Sequence, residues 1–360
     1  MEHINLKQLA SDLLEKIDSK PMSASEILNT YTKKHRHISG NTRRALSSLI
    51  FNAIRSKARL NYAYPDKNWE QKLDLLETNG IPDISGAPDW IQWETPEWLI
   101  KHIPNPEFEL PAMLEPAPVV LRATTDRTLV ADMLKNEGIE TIPTSRSPFG
   151  LILKERCVVT DSKAYKKGLV EIQDEGAQLV SIEIGVNPHE SVFDFCAGAG
   201  GKSLIFAQLM KNKGFIQAYD ASFKRLSELN GRARRAGISI IKPVYKLPEA
   251  HKKFDHVVVD APCSGVGTIR RTPDIRWKLS EKQLKNIVSK QAEILSLAQE
   301  YVKNGHCLSY ITCSLTYDEN EGQIDSFIRR FPRFCIQKQM RFSPARTQTD
   351  GFFLCVLQKR

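Results

Sequence analysis

Residues 191–203 have the sequence Ser-Val-Phe-Asp-Phe-Cys-Ala-Gly-Ala-Gly-Gly-Lys-Ser. A short apolar run, typical of a buried strand, leads into glycines at 198, 200 and 201 and then into a helical pattern. Glycine lets a backbone turn tightly and approach a ligand closely, and a helix N-terminus favours negative charge. The spacing matches neither a Gly-x-Gly-x-x-Gly turn nor a P-loop, which argues against nicotinamide and nucleoside-triphosphate sites. Taken alone, the stretch is also compatible with an ordinary βα turn.

The strand–helix alternation that starts here continues to the end of the chain. Further strands are predicted at 215–219, 238–244, 254–259, 306–311, 333–337 and 351–357, and helices at 202–211, 223–236, 281–303 and 320–330. This pattern predicts an α/β fold with a doubly wound, mostly parallel sheet. Ligands bind such sheets beyond the C-terminal ends of the strands.

Acidic and thiol side chains, which can bind ligands or take part in catalysis, directly follow several of these strands. Asp220 ends the second strand, where a carboxylate can accept hydrogen bonds from ribose hydroxyls. Asp260 and Cys263 follow the strand at 254–259, and Cys313 follows the strand at 306–311. Each cysteine alone is compatible with a small buried residue. Two cysteines and an aspartate converging on one crevice instead favour a reactive site beside a nucleoside cofactor.

The residues before the α/β domain fall into three segments that differ in composition. Residues 1–62 are predicted to be helical and basic, with a capping box at Ser23–Glu26. Residues 63–95 carry scattered Pro and Gly and are predicted to form a linker or irregular structure. Residues 96–165 are predicted to form a small α+β unit. The α/β domain is assigned to residues 166–360.

The composition limits the class of protein. The chain of 360 residues has a net charge of +9, which suits a polyanionic partner but also occurs in other soluble proteins. It has no apolar run of about 20 residues and no signal-peptide pattern at Met1–Leu6, so a cytoplasmic protein without a membrane span is expected. The absence of Cys-x-x-Cys argues against a zinc site, and no metal is expected. Cys157, Cys307, Cys335 and Cys355 lie in apolar runs and are predicted to be buried.

Five segments together carry a family resemblance: Gln173–Gln178, Asp194–Lys202, Asp260–Trp277, Tyr310–Glu321 and Thr349–Leu357. They resemble successive motifs of the Nop/Sun (Fmu-type) RNA cytosine-5 methyltransferases over roughly residues 95–360. The resemblance implies a seven-stranded methyltransferase sheet, S-adenosyl-L-methionine as cofactor and RNA as substrate. Ribosomal RNA is the first expectation and transfer RNA the alternative. The oligomeric state is not visible in the sequence, and a monomer is compatible with it.

The resemblance also implies roles for individual residues. Cys313 would be the nucleophile that adds to C6 of cytosine, Cys263 would assist breakdown of the adduct, and Asp260 would hold the cytosine edge. The cofactor would be held by Lys202, Asp220, Arg225, Asp260 and the loop Cys196, Ala197, Gly198, Ala199, Gly200 and Gly201. The basic residues Arg270 and Arg271 are expected to favour the Cys313 thiolate.

The chain departs from the family pattern in two places. The glycine loop contains Gly-Ala where Ala-Pro is commoner. The segment Lys242–Leu247 has no carboxylate, although the family usually has an aspartate there on the adenine side. This leaves open how adenine is held.

Three other functions remain as alternatives. A non-catalytic RNA-binding or assembly factor is compatible with the missing acid and with the N-terminal module, which weakly resembles a shortened NusB-like RNA-binding domain. An amino-group methyltransferase is disfavoured by Ala261-Pro262-Cys263, where those enzymes carry an aromatic residue. A DNA cytosine methyltransferase would use Cys263 rather than Cys313 as its nucleophile.

Overall fold

The computed structural model describes residues 5–249 and 251–360. These residues form two compact units, each built from two stretches of chain. The helical unit comprises Met1–Pro116 and Thr268–Leu284, and the sheet unit comprises Ala117–Gly267 and Lys285–Arg360. The boundaries predicted at residues 62, 95 and 165 stay a prediction.

The elements are numbered in chain order. The α-helices are α1 Leu6–Ser19, α2 Ala24–Lys34, α3 Gly40–Arg55, α4 Lys57–Ala63, α5 Trp69–Asn79, α6 Asp89–Gln92, α7 Glu97–Ile100, α8 Pro106–Glu109, α9 Arg127–Lys135, α10 Lys163–Lys166, α11 Glu175–Glu183, α12 Gly201–Leu209, α13 Phe223–Arg235, α14 Ile275–Lys278, α15 Glu281–Ala298, α16 Glu321–Arg330 and α17 Pro344–Thr347. The strands are β1 Val120–Ala123, β2 Thr141–Pro143, β3 Gly150–Leu153, β4 Val170–Ile172, β5 Ser191–Asp194, β6 Phe215–Tyr219, β7 Ile241–Val244, β8 Phe254–Asp260, β9 Val302–Thr312, β10 Phe334–Phe342 and β11 Phe352–Lys359. Short 3-10 helices span Pro111–Met113, Val159–Asp161, Val266–Thr268 and Gln299–Tyr301.

The helices of the helical unit pack around an apolar core. Its core includes Leu13, Leu14, Leu46, Ile50 and Leu73. The predicted capping box at Ser23 and Glu26 is confirmed at the start of α2. A second capping box, formed by Asn68 and Gln71, starts α5. The prediction of irregular structure over residues 63–95 therefore missed a helix, because it gave more weight to the flanking Pro and Gly than to the burial of Trp69 and Leu73.

The segment Thr268–Leu284 is an integral part of the helical unit. Asp274 accepts a hydrogen bond from the backbone N–H of Ala24 at 2.8 Å. Arg276, which is 1% exposed, donates to the carbonyl oxygen of Glu94 at 2.8 Å. The Glu94 carboxylate in turn accepts from the backbone N–H groups of Ala58 and Arg59 at the start of α4. Burial raises the pKa of Glu94 to about 7.

The sheet unit contains two sheets. The smaller is antiparallel with the order β2-β3-β1-β4. The larger has seven strands in the order β10-β11-β9-β8-β5-β6-β7. Strands β9, β8, β5, β6 and β7 pair in parallel, and β11 pairs antiparallel with both β9 and β10. The predicted α/β class and mostly parallel seven-stranded sheet are confirmed.

The order of the strands places a topological switch point between β5 and β8. From β5 the chain proceeds outward through β6 and β7, then returns to the other side of β5 with β8. In open α/β sheets such a point leaves a crevice at the C-terminal strand ends, where ligands bind. The glycine loop after β5 and Asp260 at the end of β8 flank this crevice.

Several element boundaries differ from the sequence prediction. Strand β7 begins at Ile241 rather than residue 238, and β9 begins at Val302, within the predicted helix 281–303. Strand β10 continues to Phe342 because a sheet-edge strand can present polar side chains to solvent while it still pairs with β11.

Cys157 is exposed, so its predicted burial is wrong; it lies in the loop after β3, beside an exposed Val158.

Within residues 5–249 and 251–360, none of the helices has the length and apolarity that a membrane crossing requires. In the same residues, no group of three or more His, Cys, Asp or Glu side chains is arranged to hold a metal ion.

Candidate active site

The glycine loop connects β5 to α12 and includes a residue whose backbone is in the left-handed region. Gly200 has φ +84° and is the N-cap of α12, with no side chain capping the helix. A Cβ at Gly200 would meet the Leu229 side chain at 2.1 Å, so position 200 needs glycine for both its conformation and its packing. At Gly201, by contrast, a Cβ would meet nothing within 4 Å, so there is room beside the first residue of α12. An uncapped helix N-terminus with room beside it suits an anionic group.

Asp220 secures this loop from the end of β6. Its Oδ2 atom accepts a hydrogen bond from the backbone N–H of Gly198 at 2.7 Å, and its Oδ1 atom accepts from Ser222 at 2.7 Å. Each carboxylate oxygen retains a second lone-pair direction for a ligand hydroxyl. Arg225 is 3.9 Å from Asp220 with 65% of its side chain exposed, so it lies at the outer side of the loop.

Lys202 and Asp260 form an ion pair across the switch point. The Nζ atom of Lys202 donates to Oδ2 of Asp260 at 2.6 Å, and their side chains are 10% and 33% exposed. Burial by itself lowers the pKa of Lys202, but the charge and hydrogen bond of Asp260 raise it above its ordinary value overall. The pair therefore presents a fixed ammonium and a partly exposed carboxylate to the crevice.

Cys263 and Cys313 are in direct contact. Their sulfur atoms are 3.1 Å apart and both side chains are half-buried. The hydrogen bond to Cys313, together with burial and the charge of Glu319, raises the pKa of the Cys263 thiol well above its ordinary value. A hydrogen bond therefore joins the two sulfur atoms, and either thiol can be its donor. Cys313 also lies close enough to Lys202 for their charges to interact.

Backbone contacts hold the two cysteine-bearing loops together. We call residues 261–267 the Pro-Cys loop and residues 312–316 the Thr-Cys loop. The backbone N–H of Gly267 donates to the carbonyl oxygen of Cys313 at 2.9 Å, and Gly351 donates to Gly267 at 2.7 Å. A Cβ at Gly267 would meet the Gly351 carbonyl oxygen at 2.3 Å. Only glycine permits this close approach.

A buried carboxylate, that of Glu319, completes the connection between the loops. It accepts hydrogen bonds from the backbone N–H and the hydroxyl of Ser264 in the Pro-Cys loop. It also accepts from the hydroxyls of Ser314 and Thr316 in the Thr-Cys loop, and from the Gln291 side chain of α15. Glu319 is 0% exposed, so these donors replace its hydration. Hydrogen bonds to an ionised acceptor are about twice as strong as neutral ones, and here they fix both loops to one group.

Asp194 lies beneath the glycine loop at the end of β5. It is fully buried and accepts a hydrogen bond from the Ser203 hydroxyl at 2.6 Å. Burial raises the pKa of Asp194 to about 7. A partly neutral Asp194 reduces the negative charge under the loop, where Asp220 and Asp260 already contribute carboxylates.

The structure therefore brings together most of the residues that the sequence singles out. The loop Cys196–Gly201, Lys202, Asp220, Asp260, Cys263 and Cys313 all lie at the C-terminal strand ends of the large sheet. Arg270 and Arg271 belong to the helical unit, where Arg270 donates to the carbonyl oxygens of Glu115 and Pro116. Their effect on Cys313 stays a prediction.

Comparisons with known proteins identify the family. A family model described as 16S rRNA methyltransferase RsmB/F matches residues 182–358. A probable ribosomal RNA small subunit methyltransferase B of Bacillus subtilis is 30% identical over 325 residues, covering 80% of this chain and 72% of the relative. The chain belongs to the Nop/Sun family of RNA (cytosine-5) methyltransferases. It is thus a member of a family that uses S-adenosyl-L-methionine.

Further matches are consistent with this methyltransferase family. A human 28S rRNA (cytosine(4447)-C(5))-methyltransferase is 32% identical over 294 residues, although the chain spans only 36% of that protein's length. The crystal structure of PH0851 superposes with a TM-score of 0.80 at 25% identity, covering 98% of both chains. NSun6 from Pyrococcus horikoshii, solved with SFG, has a TM-score of 0.66 at 20% identity over 73% of this chain and 97% of its own, and supports the fold alone.

Sequence reasoning missed the role of Glu319 in this methyltransferase. The residue lies within the Tyr310–Glu321 motif, but neighbouring acids at 318 and 321 look equivalent in sequence. Only burial separates them: Glu319 is 0% exposed, whereas Glu321 forms an ion pair with Arg341. An acid flanked by Ser and Thr residues at 314 and 316 was the available signal.

We expect Glu319→Gln to slow methyl transfer about tenfold to a hundredfold, because a neutral amide weakens the hydrogen bonds that fix both cysteine-bearing loops. Small misplacements of reacting groups reduce reaction rates by factors of about this size. The measurement is kcat and KM with labelled cofactor. The KM for the cofactor should stay within about twofold, since the glycine loop is not touched. Glu293→Gln is the matched control, because that acid on α15 is 64% exposed. An unchanged kcat with a lowered unfolding temperature would reduce Glu319 to a structural role.

Proposed function

We propose that this methyltransferase modifies C5 of a cytosine in ribosomal RNA through a covalent bond between Cys313 and C6 of the base. The observation that carries the proposal is the contact between two half-buried sulfurs 3.1 Å apart at the C-terminal strand ends. The resemblance of residues 310–321 to the family motif assigns the nucleophile to Cys313 and makes Cys263 its partner. The raised pKa of the Cys263 thiol is consistent with this order of roles.

The residues at the strand ends fit S-adenosyl-L-methionine. The uncapped start of α12 and the open space at Gly201 suit its carboxylate, and Asp220 is held where it can accept from ribose hydroxyls. Bound there, the cofactor supplies an electrophilic methyl group. The protein's own groups must supply the activation of cytosine, because C5 of the unmodified ring is a poor nucleophile.

The cysteine pair and Asp260 provide that activation. The Cys313 thiolate adds to C6, the electrons of the C5–C6 double bond form a C4–C5 double bond, and the C4–N3 electron pair moves onto N3, which takes a proton from water while Asp260 holds that edge of the base. The adduct is an enamine whose C5 can accept a methyl group, and C4 and N3 regain their double bond as the new carbon–carbon bond forms. A water molecule then removes the C5 proton, the electrons of that bond reform the C5–C6 double bond, Cys313 leaves as a thiolate, and N3 returns its proton to water. The S–H of Cys263 is placed to stabilise that departing sulfur.

Charge supports a nucleic acid as the substrate. The chain carries 51 Lys and Arg against 42 Asp and Glu. Basic residues crowd into the N-terminal helices, where they would contact phosphates in a salt-dependent manner without reading sequence. The cytosine must be unpaired or extruded from its helix before Cys313 can reach C6. Ribosomal RNA is favoured over transfer RNA because the Bacillus subtilis and human relatives are named for ribosomal RNA.

The test of the substrate uses purified protein with methyl-labelled cofactor and separate fractions of unmodified ribosomal and transfer RNA. We expect 5-methylcytosine in the ribosomal fraction, and bisulfite sequencing of that product to give one position. Label confined to transfer RNA would overturn the substrate assignment. The non-catalytic alternative predicts no label in either fraction and no cofactor binding by calorimetry.

A further inference from the structure

An exposed aromatic pair stands beside the proposed ribose site. Phe223 begins α13, three residues after Asp220, and Tyr245 directly follows β7. Their ring centroids are 4.8 Å apart with an interplanar angle of 37°. Phe223 is 66% exposed and Tyr245 is 48% exposed. Two large rings held together at the surface leave much apolar area in contact with water.

The sheet register places this pair next to Asp220. Strands β6 and β7 are parallel, with Tyr219 opposite Val244. The next residues along the two strands are Asp220 and Tyr245, so they lie side by side at the C-terminal edge. A nucleoside whose ribose is bound by Asp220 can therefore reach this pair with its base.

The same position lacks the acid that the family pattern leads one to expect. Lys242–Leu247 contains no carboxylate, and Tyr245 is its residue at the strand end. A carboxylate there would accept a hydrogen bond from the exocyclic amino group of adenine. A tyrosine ring offers a flat apolar face instead, and aromatic faces stack on bases with little regard to their substituents.

We propose that Phe223 and Tyr245 bind the adenine ring of the cofactor by stacking, and that Tyr245 takes the place of a carboxylate that would recognise the adenine amino group. The proposal rests on the cofactor assignment made above, but not on the covalent mechanism. It makes Tyr245 a specificity-determining residue. The expected consequence is tolerance of purine cofactors that lack the amino group.

The experiment compares two ligands by calorimetry with the full chain in the absence of RNA. One is S-adenosylhomocysteine, and the other is its 6-deamino analogue, in which hydrogen replaces the amino group. The wild-type protein should bind both within about threefold. Tyr245→Asp should create a preference of about three- to tenfold for the amino form, the range expected for one added hydrogen bond. A wild-type preference above tenfold would overturn the proposal.

Ring removal tests stacking separately. Tyr245→Ala and Phe223→Ala should each weaken both ligands about tenfold and to the same extent, whereas Tyr245→Phe should keep wild-type affinity. Ile336→Ala is the control, since that residue is 45% exposed on β10 at the opposite edge of the sheet. Unchanged binding by both alanine variants would refute stacking. Failure of the wild type to bind either ligand would overturn the cofactor assignment as well, whereas inactivity on RNA with intact binding would affect only the proposed function.

Discussion

Cys313→Ala is expected to abolish methyl transfer, with a loss of at least about a thousandfold in kcat, because it removes the sulfur that the proposed mechanism bonds to C6. The substitution removes one sulfur from a half-buried site, so the unfolding temperature should change little. The measurement is incorporation of labelled methyl groups into RNA, with cofactor binding followed by calorimetry. Binding should persist, because the glycine loop and Asp220 are intact.

Cys157→Ala is the matched control for this experiment, since Cys157 is an exposed cysteine in the loop after β3. It should retain full activity. Normal turnover by the Cys313→Ala protein would contradict the nucleophile assignment. If Cys263→Ala instead proved inert and formed no adduct, the arrangement of DNA cytosine methyltransferases would be favoured.

Cys263→Ala is expected to have the opposite chemical outcome, which is accumulation of a protein–RNA adduct that survives denaturing electrophoresis. The nucleophile is still present in this variant, so the bond to C6 forms. The Cys263 thiol, whose sulfur lies 3.1 Å from that of Cys313, is missing, so the departing thiolate has no hydrogen-bond partner there. Most of the protein should therefore shift to the adduct when cognate RNA and cofactor are supplied, and turnover should fall to a low level.

The double variant Cys263→Ala/Cys313→Ala distinguishes this adduct from tight non-covalent binding. It should give no shifted band, because it has no nucleophile. A band of equal intensity from the double variant, or none from Cys263→Ala with an RNA that the wild type methylates, would assign Cys263 a different role.

The ends of the strands were predictable because they depend on local patterns. The apolar run at 191–195 followed by glycines indicates a strand, a tight turn and a helix start, and the structure has β5 and α12 at those positions. Asp220, Asp260 and Cys313 each follow an apolar run directly, so their convergence required only that the strands be parallel. The full length of β10 was missed because it depends on pairing with β11, whereas α5 was missed although its capping box at Asn68 and Gln71 is a local signal.

The partners of these side chains were not predictable in the same way. Asp274 and Arg276 follow the Pro-Cys loop in sequence, yet both make hydrogen bonds within the helical unit. Asp274 accepts from the backbone N–H of Ala24 at the start of α2, and Arg276 donates to the carbonyl oxygen of Glu94. Tyr245 lacks any feature in sequence that distinguishes it from a surface tyrosine. Its position beside Asp220 and its contact with Phe223 depend on the pairing of β6 with β7.

The amino-acid sequence by itself determined the α/β class, the glycine turn and the order in which an acid or a cysteine ends each strand, because strand periodicity and turn preferences act over a few neighbouring residues. Only the tertiary structure decided that Cys263 meets Cys313, that Lys202 pairs with Asp260 and that Glu319 holds both loops. The contacts between Cys263 and Cys313, Lys202 and Asp260, and Ser264 and Glu319 span 50, 58 and 55 positions in sequence. The pairing of β8 with β5 on one side and with β9 on the other, together with burial, sets them.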